Sequence, residues 1–490
     1  MEANSGVPVT IGGMELHLII DGDKDLGGQV YRQLATAIRA GRLVHGQQLP
    51  PTRLLAAQLG LSRKTVAGAY ARLRLDTLLV GHVGKGSFVN APAPSPPRRQ
   101  GSADLAGHAT LHKWRSMATP FRRPPDEARA AHDFAPGMPS PAHFPQPAWR
   151  RCVLHGLRGD QQTRGLFRAT EGLPALRAAI ARHVGFARGV VGTAAQVVVT
   201  NGAQQALDLL GRILLEPGSV VAMEEPGYPP ARLLYASQGA RVVGVPVDAD
   251  GIIVDLIPAG ARLIYVTPAH QMPLGMPMSV ARRGALLARA RAIGAIIIED
   301  DYDSEFRYEG RPTDSLQSMD RHGIVAFVGS FSKVLQPELR LGYVVAPDAV
   351  LDALLTAKHL SDWHVATLTQ AALAKFIDDG QLHRHIRRCS AVYAARRQQL
   401  RQVFAGPLAP WFRLVPATAG FHVAALATAP LDIDLLLRLA RRADVGLYGL
   451  APFYAEAPAP AGLLLGYGAI DTLAIAPALL RVRDILQQLR

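Results

Sequence analysis

Nine consecutive residues, Ala91-Pro92-Ala93-Pro94-Ser95-Pro96-Pro97-Arg98-Arg99, include four prolines and divide this chain of 490 residues. Proline fixes φ and has no amide hydrogen, so such a run can be neither a helix nor an inner strand and reads as an extended linker. Whatever precedes it must bury a core of its own. The whole chain also exceeds what one core usually serves. With 49% hydrophobic and 19% charged residues, it is globular in composition rather than disordered. Cys152 and Cys389 are its two cysteines, far apart, which excludes a disulfide framework or a cysteine metal site and suits a reducing compartment. No apolar run is long enough to span a bilayer, and Met1-Glu2-Ala3-Asn4 lacks the basic-then-apolar layout of a signal peptide. The expectation is a cytoplasmic protein with no membrane partner.

From Leu26 to Leu75 there is no Asp or Glu, while Arg32, Arg39, Arg42, Arg53, Arg63, Lys64, Arg72 and Arg74 fall in the same window. An acid-free basic stretch suits a polyanion, nucleic acid above all, in keeping with a formal net charge of +14. Apolar spacing predicts a helix over 29–40, with Val30, Leu34, Ala37 and Ile38 inward, and a second over 52–59 ended by Gly60. A third follows Ser62, a good N-cap, with Val66, Ala69, Tyr70 and Leu73 inward. Residues 79–82 and 87–90 read as hairpin strands, with Gly84-Lys85-Gly86 as the turn. Three helices and a hairpin in this order make a winged helix-turn-helix, whose third helix enters the major groove. Ser62, Arg63, Lys64 and Thr65 then open the recognition helix. Arg63 suits guanine, and Lys64 and Thr65 suit phosphate. Arg53 is placed for a backbone contact, and Lys85 and Gly86 at the wing tip for the minor groove.

Beyond about Phe134 the pattern changes. Strand-like runs at 197–200, 220–224, 241–245, 263–267, 295–299 and 325–330 alternate with helical patterns at 203–215, 231–237 and 280–293. This implies a mostly parallel α/β sheet. After Leu351 come helices at 351–359, 368–377 and 382–404, then strand-like runs at 420–426, 445–450 and 462–467, as in a smaller α+β part. The expected division is 1–90 as a winged helix, 91–132 as a Pro-rich linker, 133–350 as a large domain and 351–490 as a small C-terminal subdomain.

The α/β part carries an ordered set of polar residues. Lys333, in Gly329-Ser330-Phe331-Ser332-Lys333, has an amine able to form a Schiff base with pyridoxal phosphate (PLP). Asp300 suits the pyridinium nitrogen and Tyr302, two residues on, the phenolate oxygen. Ser330, Ser332 and Arg340 suit the phosphate. Asn201-Gly202-Ala203-Gln204 opens a helix after a strand, where free amides and the helix dipole favour phosphate. Tyr228, in Glu224-Glu225-Pro226-Gly227-Tyr228, suits stacking on the ring. Any one of these residues alone has an ordinary structural explanation; the ordered set is what points to PLP.

The segments around Gln29, Leu49-Pro50-Pro51-Thr52-Arg53 and Leu59-Gly60-Leu61-Ser62-Arg63-Lys64-Thr65-Val66 resemble the GntR-type winged helix. Asp76-Thr77 stands where that family has an acidic residue and glycine. From about Phe134 onward the chain resembles fold-type-I aminotransferases, including Glu171-Gly172-Leu173-Pro174. The segment Thr267-Pro268-Ala269-His270-Gln271-Met272-Pro273 replaces their Asn-Pro signature, which implies His270 beside the cofactor ring. Together these resemble the MocR/GabR-type regulators of the GntR family. The resemblance implies an operator-binding regulator with PLP on Lys333, an amine or amino-acid effector, and a head-to-tail homodimer with little or no transaminase activity. The alternative is an active aminotransferase with a residual or autoregulatory head. The strand around Leu463-Leu464-Leu465 lacks the arginine that aminotransferases use for a substrate carboxylate, and Arg413 is the expected substitute.

Overall fold

The computed structural model describes residues 7–11, 14–82, 86–90, 109–117, 130–158, 166–309 and 314–489. It comprises two compact units, residues 1–113 and 114–490. The Pro-rich run and Lys85 lie outside the described residues.

In the first unit β1 (Val7–Ile11) and β2 (Met14–Leu18) form an antiparallel pair that periodicity did not reveal. Then follow α1 (Leu26–Arg39), β3 (Gln48–Leu49), α2 (Thr52–Leu59), α3 (Arg63–Leu75), β4 (Leu79–His82) and β5 (Gly86–Val89), with sheet order β3-β5-β4. Val30, Leu34 and Ile38 of α1, Leu55 and Leu59 of α2, and Val66, Tyr70 and Leu73 of α3 make the core with Val89. Each such aliphatic side chain contributes about 1.5–3 kcal/mol by leaving water. The Tyr70 hydroxyl donates to the Pro50 carbonyl (2.8 Å) and ties α3 to the approach of α2. Thr77 adopts φ +56, in the left-handed region that favours glycine. The Asn90 amide holds its carbonyl at 2.9 Å.

The short helix α4 (Ala109–Ser116) and the strand β6 (His132–Asp133) follow, then α5 (Gln146–Arg158) and α6 (Pro174–Arg188). The central sheet is built from β7 (Val197–Thr200), β8 (Val220–Glu225), β9 (Arg241–Asp248), β10 (Gly251–Ile252), β11 (Ala261–Val266), β12 (Ile296–Asp301), β13 (Val325–Ser330) and β14 (Gly342–Val345). Its order is β10-β9-β8-β11-β12-β13-β14-β7. From β9 through β13 the strands are parallel; β14 and the two ends pair antiparallel. Helices α7 (Ala203–Leu214), α8 (Pro229–Ser237), α9 (Val280–Ile293) and α10 (Leu316–Met319) connect it.

The strand β7 shows why the runs are apolar throughout. Val197 and Val199 face one core and Val198 the other, so both faces are covered. β14 escaped sequence reading because Gly342 and Tyr343 break the apolar run.

The C-terminal part has α11 (Asp348–Asp362), α12 (Thr367–Asp378), α13 (Gln381–Ala405), β15 (Phe412–Leu414), β16 (His422–Ala427), α14 (Ile433–Arg442), β17 (Val445–Gly446), β18 (Gly462–Gly466) and α15 (Ile475–Gln488). Its sheet runs β15-β16-β18, and β17 pairs with β6. Among the described residues no helix is long and apolar enough to cross a membrane.

Candidate functional site

Parallel strands end at the same edge of a sheet, and the loops beyond that edge enclose a cavity of about 920 Å³. Lys333 reaches it from the turn after β13, and its Nζ donates to the Gly137 carbonyl (2.7 Å). Gly137 has φ +69, and a Cβ there would stand 2.7 Å from the amine, so glycine keeps the lysine's path clear. Burial pushes the Lys333 amine down, opposed by the Asp303 and Asp300 carboxylates. A less basic amine is the better nucleophile near neutral pH.

Asp300 lies within the end of β12 rather than beyond it, and Tyr302 follows the strand; both line the cavity. The Tyr265 hydroxyl donates to Asp300 Oδ2 (2.6 Å), while Oδ1 is buried with no partner among the described residues. Burial raises this carboxyl to about 6, against the Tyr265 hydrogen bond. A carboxylate oxygen held there without a donor fits a pyridinium nitrogen.

A second set of groups on the cavity fits a phosphate. Gly202, at φ +76, is the N-cap of α7 and has no side chain to cap the helix, and Ala203 and Gln204 line the cavity. Ser330, Ser332 and Arg340 join them. The Ser332 amide donates to Ser330 Oγ (3.0 Å), and Arg340 donates to the Asn201 carbonyl (2.9 Å). A Cβ on Gly202 would meet the Arg340 guanidinium at 2.9 Å, and one on Gly342 would meet the Gly202 backbone at 2.6 Å. Asp362 at the end of α11 fixes this turn: it accepts from Asn201 Nδ2 and Gln205 Nε2 (both 2.8 Å) and from buried Lys358 (2.7 Å).

Tyr228 caps α8 and lines the cavity. His270 does not line it: its ring is turned to Asp303, and Thr267 and Met272 are the side chains that face inward from this segment. The Glu224 carboxylate accepts from the Thr267 amide (3.1 Å) and hydroxyl (2.6 Å). Arg413 is exposed on β15, away from the cavity; Arg441, at the end of α14, lines it instead. Sequence reading missed Tyr265, Gly137, His422 and Arg441, which line the cavity from outside the motifs.

In the first unit Arg53, Arg63 and Lys64 are exposed at the starts of α2 and α3. Ser62 is the N-cap of α3, as expected. Ser62 Oγ accepts the Thr65 amide (3.1 Å) and pairs with the Thr65 hydroxyl (2.8 Å), so both hydroxyls serve the helix cap. Gly86, at φ +109, packs against Gln48, where a Cβ would stand 2.8 Å from the amide nitrogen.

Residues 26–89 match the family described as bacterial regulatory proteins, gntR family, and residues 138–444 match aminotransferase class I and II. The chain is 36% identical to the probable rhizopine catabolism regulatory protein MocR of Rhizobium meliloti, over 93% of this chain and 92% of that one. It is 30% identical to the pyridoxine biosynthesis transcriptional regulator PdxR of Corynebacterium glutamicum, over 93% and 95%. The α-aminoadipate aminotransferase LysN of Thermus thermophilus superposes with a TM-score of 0.67 at 29% identity, covering 73% of this chain and 92% of the other.

Proposed function

The chain belongs to the MocR-type branch of the gntR regulatory family, and from that premise we propose that occupancy of its cavity sets how tightly its winged helix holds an operator. It is a DNA-binding transcriptional regulator with an aminotransferase-like domain, and its cofactor is PLP. When bound, PLP supplies an electrophilic aldehyde and an electron-withdrawing ring. Lys333 is the amine that would hold it. Asp300 would face the ring nitrogen, Tyr302 the phenolic oxygen and Tyr228 the ring face. Gly202, Ala203, Gln204, Ser330, Ser332 and Arg340 would hold the phosphate. One observation supports the reading above the rest: a buried amine, a carboxylate oxygen without a donor and a helix N-terminus without a side-chain cap open on one cavity.

An effector amine would compete with Lys333 for the aldehyde. Arg441, on the cavity wall from the C-terminal subdomain, would receive an anionic group on such a molecule in place of the missing strand arginine. A ligand moves the DNA-bound population only by its differential affinity for two states of the protein. The assembly in this reading is a head-to-tail homodimer whose two heads read repeated half-sites. The exposed, mutually packed rings of Phe167 and Trp363 suit a surface that a second copy covers.

The test is titration of the full-length protein on the DNA upstream of its own gene and of its divergent neighbour. It is run without cofactor, with PLP, and with PLP plus a panel of amines, at one salt concentration. Specific binding that PLP or an amine changes supports a ligand-gated regulator. Amino-group transfer in the same panel, with no specific binding in any state, would establish an aminotransferase with a residual head instead.

A further inference from the structure

Behind Tyr302 lies a cluster that the cofactor contacts leave unused. His270, Asp303 and His422 are each at most 2% exposed and come from three separate segments. His270 belongs to the loop after β11, Asp303 to the turn after β12, and His422 opens β16 in the C-terminal subdomain. The contact between His270 Nδ1 and Asp303 Oδ1 is 2.8 Å; facing a carboxylate, the ring nitrogen is the donor. The backbone carbonyl of the same His270 accepts the Tyr302 hydroxyl at 2.7 Å. His422 covers both partners: its ring is 4.4 Å from that of His270, and it lies within 14° of parallel to Tyr302 at 6.2 Å.

The packing fixes this arrangement. A Cβ on Gly420 would meet the His270 ring at 2.0 Å, and one on Gly275 would approach its Nε2 at 3.1 Å, so the imidazole packs tightly against both glycines. Gly420 is itself held, since its amide donates to the Phe306 carbonyl (2.7 Å) and its carbonyl accepts the Tyr467 hydroxyl (2.8 Å). Two buried imidazoles whose Nε2 atoms have no partner among the described residues are costly to keep, which argues for a role beyond filling space. Burial, with His270 beside it, pushes His422 down to about 3, so it stays neutral next to the cavity.

We propose that Asp303 and His270 are positioning residues for Tyr302, with His422 pressing them in place from the C-terminal subdomain. The proposal rests on the reading of the cavity as a PLP site. In it, the Asp303–His270 pair sets where the Tyr302 hydroxyl stands when the phenolic oxygen of PLP arrives, and through it the proton affinity of the bound chromophore. The charged and titratable groups that face the pair are Asp300, Lys333, Tyr302 and His422, with Tyr308 and Tyr467 from outside the cavity, while Glu224 and Asp301 act on Tyr302 itself.

The experiment is a double-mutant cycle read by absorbance. Full-length protein loaded with PLP is titrated with pH as wild type, Tyr302→Phe, Asp303→Asn and the double variant. Asp303→Asn is expected to move the midpoint of the absorbance change by about one pH unit, tenfold in proton affinity. In the Tyr302→Phe background the same substitution is expected to move it little, because the pair acts through that hydroxyl. An equal shift in both backgrounds, or none in either, overturns the proposal while leaving the PLP site standing. A wild type that takes up no visible chromophore removes the PLP site and this proposal with it. His270→Gln, run through the same cycle, carries the test if Asp303→Asn does not fold.

Discussion

The two units handle charge in opposite ways. In the DNA-binding unit the cations Arg53, Arg63 and Lys64 stand exposed at helix starts in a window free of acidic residues. In the aminotransferase-like unit the decisive charges are buried and arranged against one another: Asp300 under Tyr265, Asp303 on His270, and Asp301 on Arg188 at 2.6 Å. A surface cation in water acts on whatever anion approaches. A buried one is worth much more, but only in a fixed geometry. The first kind of site tolerates loose placement; the second depends on backbone contacts such as the Lys333–Gly137 bond.

The contrast predicts a separation of effects. Lys333→Ala should abolish covalent uptake of PLP, seen as loss of the visible absorbance band, while circular dichroism reports an unchanged fold. Arg63→Ala should leave that band intact and weaken specific DNA binding by about 1–3 kcal/mol, measured against nonspecific DNA at fixed salt. A loss of cofactor in Arg63→Ala, or unchanged operator affinity, would break the division.

Asp300 offers a finer test in protein without cofactor. Its folded-state value, about 6, lies above the ordinary 3.8, so its contribution to stability is present below about pH 4 and lost as pH rises through 6. Asp300→Asn should therefore gain on the wild type by about 3 kcal/mol between those pH values, read from denaturant midpoints at each pH. The smallest effect belongs to the DNA-binding unit. Thr77→Gly should stabilise it by about 1 kcal/mol, because a β-branched residue at φ +56 is strained, and urea unfolding of the full chain should register the gain.

Legibility followed the same contrast. The bounds of α2 and β4 were readable because Gly60 and the apolar spacing act locally, and the gathering of Lys333, Asp300, Tyr302 and Arg340 on one cavity because their motifs are compact. His422 and Arg441 were not, since nothing in their own neighbourhoods distinguishes them from a core histidine and a basic helix end. They reach the cavity only because β16 and α14 fold over it. Arg413 failed as the carboxylate partner because alternation along β15 buries Phe412 and turns Arg413 outward. His270 stays off the cavity lining because Asp303, from another segment, holds its ring.

The approach of Gly342 to Gly202 has a consequence for inheritance. A methyl group at position 342 would collide with backbone, at 2.6 Å from one carbonyl carbon and 2.9 Å from the next amide, and backbone cannot swing aside as a side chain can. At Gly260, by contrast, it would meet nothing within 4 Å. In a saturation library scored by reporter output, codon 260 should accept most replacements. Codon 342 should reject even alanine, so lineages carrying this gene are expected to vary at the first and stay invariant at the second.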